Sequence, residues 1–295
     1  MTKDHDEIND SAAPLIEHLA ELRTRLIWSV LAFVIAMVLC FTVAEPLLNF
    51  VSQPIADVLR ARGEDPRLIF TAPQEKFFVL IRISMIAGLG LSFPVIAYQL
   101  WRFVAPGLYR SEKRAFLPFI IASPVLFLIG ASFAQFVVTP LAMNFFIGFS
   151  DAIPALANLV AGTGSFEPGP QTEELSTVFL GSVRESLDLS LKFIIAFGLC
   201  FQLPVLLTLM GKAGLVTGVA LAGMRRYAVV AILFLAALAT PPDVISQVLL
   251  FTVVYGLYEI SIQLVKRVDR QREARLRAEG LWDEDEPTDD AGVKS

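Results

Sequence analysis

Histidine and cysteine are almost missing from this chain, with two of each in 295 residues. His5 and His18 do not have metal-ligand spacing, and no residues group as a Ser/His/Asp or Cys/His set. Metal-assisted and nucleophilic catalysis therefore have no candidate centre. Cys40 and Cys200 each lie inside an apolar run and read as small buried hydrophobes, not as a disulfide pair. A phosphate loop is also missing: the "GK" at 211–212 has neither the upstream glycine nor the following Ser/Thr. Charge is sparse at 18% of residues, with a net value of −5. Neither a cofactor nor a nucleic-acid partner is expected, and the chain does not read as an enzyme.

What the chain has in abundance is apolar surface: 55% hydrophobic residues and a mean hydropathy of +0.62, concentrated in runs. Runs of about 18 or more apolar residues read as membrane-spanning helices. The fold expected is an all-α polytopic membrane protein with six spans, at about 26–44, 77–100, 115–138, 189–210, 227–240 and 244–265. Residues 1–13 are acidic and expected to be disordered, 14–266 form the membrane domain, and 267–295 form a charged, disordered cytoplasmic tail. The first apolar run is too long for a cleaved signal peptide, so it is kept in the mature chain. The last two spans are short and joined by Pro241, Pro242 and Asp243, a tight hairpin that would thin the bilayer locally or run on into the interface. Pro94, Pro124 and Pro204 are expected to kink their helices and shape a concave bundle.

Lysine and arginine set the orientation. With the N-terminus inside, seventeen of the 24 fall on the cytoplasmic side and five on the outer side, with Arg82 and Lys192 in the spans. Both termini are thus expected in the cytoplasm. Of the outer segments, Glu45–Lys76 carries four prolines and reads as irregular but compact, and Thr139–Asp188 as a long acidic loop. In the latter, Leu175, Phe179, Val183 and Leu187 suggest a helix leading into the fourth span. Arg82 reads as snorkelling to the outer surface.

Some polar residues stand out. In "PLIEHLAELRTRL", Leu15, Leu19, Leu22 and Leu26 form a stripe on an interfacial amphipathic helix, with Glu17 and Glu21 on its open side. Glu21 has two readings: a surface pair with Arg25 at i+4, or half of a site for guanidinium groups. Glu112, in the basic loop "GLYRSEKRAF", is either a dipole partner at a helix start or the second half of that site. Arg grips a carboxylate bidentately where Lys cannot, so two carboxylates on one face would read paired arginines. Within the membrane, Gln202 suits an interhelical hydrogen bond. Thr240 and Gln247 flank the final hairpin. A solute transporter or a structural scaffold for single-span helices remain alternatives on the residues alone.

Four segments, "HLAELRTRL" (18–26), "TAPQEKFF" (71–78), "FPVIAYQLWRFVAPGLYRSEKR" (93–114) and "TPPDVISQ" (240–247), together resemble the TatC family of the twin-arginine protein translocase. The resemblance implies a receptor that binds twin-arginine signal peptides at the cytoplasmic face. Glu21 and Glu112 would recognise the arginines, supported by Arg23, Phe103 and Leu108. It further implies that Thr240, Asp243 and Gln247 help dock the single-span subunits TatA and TatB. It implies a homo-oligomeric receptor complex in the bacterial cytoplasmic (inner) membrane, exporting folded proteins with the proton-motive force. Two departures stand out: Gln202 occupies a position where many relatives have glutamate, and the loop around Asp151–Thr172 is longer than the family pattern.

Overall fold

The computed structural model describes residues 3–63, 65–104, 113–160, 181–239 and 244–278. Among these, nearly everything is helix. The elements are α1 (Lys3–Thr42), α2 (Ala44–Ala61), β1 (Leu68–Ile69), α3 (Glu75–Val104), α4 (Lys113–Phe133) and α5 (Thr139–Val160). They continue with β2 (Gly181–Ser182), α6 (Val183–Cys200), α7 (Leu203–Lys212), α8 (Gly218–Gly223), α9 (Arg225–Ala239) and α10 (Val244–Ala278). A π-helical turn, Ala134–Val138, links α4 to α5.

Among the described residues, five helical stretches are long and apolar enough to cross a membrane: Leu19–Thr42, Glu75–Leu100, Pro118–Phe149, Val183–Lys212 and Ser246–Ala274. Helix α9 coincides with the expected span 227–240, but its 15 residues give about 22 Å, short of a hydrocarbon core of about 30 Å.

The structure corrects several expectations. The segment read as an irregular outer loop contains α2, whose buried Val51, Pro54, Ile55, Val58 and Leu59 recur at helical spacing. Its prolines misled: Pro46 lies in the first turn, where no N–H is needed. Pro54 cannot bond the Phe50 carbonyl, and Gln135 Nε2 does so instead, at 3.0 Å to Phe50 O and 3.1 Å to Val51 O. The long outer loop likewise contains α5, because the helix continues through the π turn instead of stopping near Val138. Helix α1 begins at Lys3, within the segment 1–13 expected to be disordered. Residues 267–278, assigned to a disordered tail, extend α10. They hold five arginines and no Gly or Pro, and Asp269 Oδ2 accepts from the Gly218 amide at 2.7 Å.

Helices α3 and α4 run unbroken past Pro94 and Pro124. The helix around Pro204 is divided: α6 ends at Cys200, Phe201 and Gln202 form a turn, and α7 restarts with Pro204 in its first turn.

Packing is spread over four apolar clusters. The largest draws Val138, Phe193, Phe197, Ile232, Leu250, Ile262 and Val265 together from the π turn, α6, α9 and α10. A second joins Val51, Ile83 and Leu187 at the α2–α3–α6 end. A third stacks Phe93 on Phe127, ring centroids 4.3 Å apart, next to Val205 and Leu209. The fourth seals α2 against α5 through Ile55, Leu59 and Met143. Helix α1 packs mainly on α3, and Gly88 permits the approach: a Cβ there would lie 2.7 Å from Met37 Cα.

Candidate functional site

Helices α1 and α3 are antiparallel. Lys76, at the start of α3, bonds Glu45 just beyond the end of α1, with Nζ to Oε1 at 2.7 Å. Hydrogen bonding to Lys76 holds the Glu45 carboxyl below the ordinary carboxylate range. From the Met37–Gly88 contact, Glu21 is sixteen residues back along α1 and Phe103 fifteen residues onward along α3. At 1.5 Å per residue both lie roughly 23 Å from the contact, at one end of the helix pair.

At that end Arg25 is bonded to Glu21, with Arg25 Nε donating to Glu21 Oε1 at 3.1 Å and Nη2 donating to the same oxygen. The Glu21 side chain is 35% exposed and that of Arg25 is 14% exposed. The carboxylate therefore still has a face open to solvent while accepting the i+4 pair that the sequence suggested. Arg23 is exposed and Phe103 half-buried. Glu112 and Leu108, the other residues of this expected site, lie outside the described residues, as do Thr240 and Asp243. Gln247, near the start of α10, is half-buried.

Deeper in the bundle, Gln202 is held by Ser123. The Ser123 hydroxyl donates to Gln202 Oε1 at 2.5 Å, and Gln202 Nε2 donates to the Ser123 carbonyl at 2.9 Å. The pair ties the α6–α7 turn to α4. A polar side chain at a helix break in an apolar layer is thereby satisfied inside the protein.

Three charged arrangements were missed by sequence reasoning. Glu75, 5% exposed, accepts from Thr71 N at 2.5 Å, Thr71 Oγ1 at 2.8 Å and Ala72 N at 3.2 Å. Its other oxygen accepts from Ser182 Oγ and Arg184 N, both at 3.2 Å. The carboxylate thus closes the turn before α3 and pins it to β2 and α6, beside the parallel pairing of Leu68 with Gly181. Its only signal in the sequence is the spacing of Thr71 and Glu75 in "TAPQE"; the second half of the site is over a hundred residues away. Nearby, Arg82 pairs with Asp188, replacing the expected lone snorkelling. At the other end of the bundle, Arg225 meets Glu259 through two bonds, at 2.7 and 2.9 Å, while Tyr255 OH donates to Glu259 at 3.1 Å. This clamp secures the start of α9 to α10.

The sequence matches the family model described as "Sec-independent protein translocase protein (TatC)" over residues 17–252. The chain belongs to the TatC family. This is a family of protein-translocase components and not of enzymes. A TatC from Magnetococcus marinus is 40% identical over 286 residues, covering 96% of both chains. One from Aquifex aeolicus is 39% identical, covering 90% of this chain and 100% of the relative. A crystal structure described as a twin-arginine translocase receptor, TatC, superposes with a TM-score of 0.68 at 37% identity, covering 86% of this chain and 100% of that one.

Proposed function

We propose that this chain is the receptor and core subunit of a twin-arginine translocase in a bacterial cytoplasmic membrane. It crosses that membrane six times, with α9 as the short fifth span and both termini in the cytoplasm. The distribution of Lys and Arg supports this orientation. The 15 residues of α9 fit a span in a locally thinned bilayer.

In this reading Glu21 and Glu112 each take one guanidinium of the signal peptide, with Arg23, Phe103 and Leu108 around them. The observation that carries it is the shared height of Glu21 and Phe103 at one end of the α1–α3 pair, within a chain whose family match runs over residues 17–252. Glu112 directly precedes Lys113, the first residue of α4, nine positions beyond the end of α3. Arg25 orients the Glu21 carboxylate, and a signal arginine competes with Arg25 for it. The hairpin around Thr240, Asp243 and Gln247 docks the single-span TatA and TatB subunits. Several copies assemble into the receptor complex, and the proton-motive force drives export of folded proteins. Gln202, occupied by Ser123, is not available as a midplane solute ligand, which weighs against a small-solute transporter.

The test is site-specific photo-crosslinking from positions 21, 112, 202 and 247 to a twin-arginine signal peptide and to the partner subunits. Positions 21 and 112 should capture the signal peptide and position 247 the partners. Glu21→Ala and Glu112→Ala should each abolish signal capture while the protein still accumulates in the membrane. Undiminished capture by either variant would refute the two-carboxylate site.

A further inference from the structure

The turn before α3 and the start of α6 enclose a cavity of about 410 Å³, lined by Glu75, Phe78, Arg82, Met85, Arg184 and Asp188 among others. That volume lies within the roughly 300–1,000 Å³ of small-molecule clefts. Its charges are not equally available. Glu75 is nearly buried and accepts five hydrogen bonds from protein donors. Asp188 and Arg82 neutralise each other. Arg184 lends its backbone N–H to Glu75, but its exposed side chain has no carboxylate partner among the described residues. Among the described residues, Arg184 is therefore the lining cation without a carboxylate opposite it.

Apart from Thr71 and Gln74, the rest of the lining is apolar. Phe78 is 61% and Met85 43% exposed, seven positions apart on the same face of α3, and they continue the apolar surface of the span Glu75–Leu100. The cavity thus sits where two spans, Glu75–Leu100 and Val183–Lys212, begin. It offers one guanidinium at the membrane surface and an apolar track leading from it toward the hydrocarbon. That sequence of charge, then apolar surface, at this depth matches one kind of ligand: a phospholipid, with its headgroup at the interface and its chains below.

We infer that this cavity is a specific site for a glycerophospholipid of net charge −1, its phosphodiester on Arg184 and an acyl chain along Phe78 and Met85. Arginine suits the role because its planar fork can take two phosphate oxygens at once. Arg82 and Asp188 form a neutral floor, and the charge of Glu75 is met by five protein donors, which leaves the Arg184 guanidinium to face the phosphodiester. The bound lipid would brace the α3–α6 junction that Glu75 ties together, making the lipid part of the packing on that side.

The test is native mass spectrometry of the full chain, delipidated in detergent and titrated with phosphatidylglycerol. The wild type should retain one lipid per chain. Arg184→Gln should weaken retention roughly tenfold, the loss of a charge-assisted hydrogen bond to phosphate. Arg184→Lys should restore most of it. Arg60→Gln, which removes an exposed cation paired with Asp57 away from the cavity, should leave it unchanged. Free glycerol 3-phosphate should fail to displace the lipid, and Phe78→Ala should weaken the lipid. Equal retention by Arg184→Gln and wild type, an equal loss with Arg60→Gln, or displacement by glycerol 3-phosphate would each overturn the site. Because Arg184 is exposed and its backbone bond to Glu75 survives substitution, the Gln variant is expected to fold normally.

Discussion

Ser123 and Gln202 exchange two hydrogen bonds between α4 and the α6–α7 turn, hydroxyl to amide oxygen at 2.5 Å and amide nitrogen to carbonyl at 2.9 Å. Seventy-nine positions separate them in the chain. The helix is divided at Phe201–Gln202, so the amide side chain sits at a break, and Ser123 is the group that secures it.

Gln202→Leu removes both bonds while keeping the volume. It should destabilise the protein by about 1–2 kcal/mol, the scale of interhelical hydrogen bonds in membranes. Thermal unfolding in detergent reads this directly. Ser123→Ala should cost less, because only the hydroxyl bond is lost and the backbone carbonyl still accepts.

Gly88 and Gly256 make a matched pair of substitutions. A Cβ at Gly88 meets Met37 backbone at 2.7 Å, whereas one at Gly256 meets nothing within 4 Å. Gly88→Ala should force α1 away from α3, lower stability by about 1–3 kcal/mol and weaken signal-peptide capture at position 21. Gly256→Ala should be neutral or stabilising by up to about 1 kcal/mol through helix propensity. The two melting curves, compared with crosslinking yields, check both halves.

Glu75→Gln replaces two accepting oxygens with one oxygen and an amide that faces donors. The bonds from Ser182 and Arg184, or those from Thr71 and Ala72, must break. The unfolding midpoint should fall by several degrees, and cleavage by added protease should become faster near residues 70–75. Lys76→Gln, which breaks only the exposed pair with Glu45, should shift the midpoint far less.

The extension of α10 should matter as far as Asp269. Truncation after residue 278 is expected to leave melting and membrane accumulation unchanged. Truncation after residue 266, or Asp269→Ala, removes the carboxylate that accepts from the Gly218 amide and should cost about 1 kcal/mol. Melting curves of the two truncations, run side by side, separate a docked helix from a free tail.

Gln135→Leu strips the Phe50 carbonyl of the donor that stands in for the N–H missing at Pro54. Helix α2 should loosen at that point, with faster amide hydrogen exchange around residues 50–58 than in the wild type. Restoring the lost donor by Pro54→Ala in the same background should recover much of the protection.

Much of the architecture was legible because hydropathy is a local property. The long apolar runs identified the helices that can cross a membrane, and motifs at 18–26, 71–78, 93–114 and 240–247 identified the family. The pairing of Glu21 with Arg25 was legible too, since an i+4 partner on a helix can be read from spacing. Helix α2 was hidden by prolines, although its apolar residues recur at helical spacing, because Gln135, which bonds the carbonyl that Pro54 cannot, lies 85 positions beyond Phe50. Helix α5 was hidden because the π turn lets a helix continue where the end of an apolar run suggested a loop.

The sequence by itself determined the class: too apolar for a water-soluble fold, nearly devoid of catalytic side chains, and arranged as long apolar helices. Only the tertiary structure decided which polar groups are already occupied. Glu75 became a five-donor knot, Gln202 a partner of Ser123, and Arg82 a partner of Asp188. The physical reason is that burying a polar group in an apolar bundle demands a specific partner. Such a partner is chosen by helix packing across 79 to 109 positions, a separation at which local pattern carries no information.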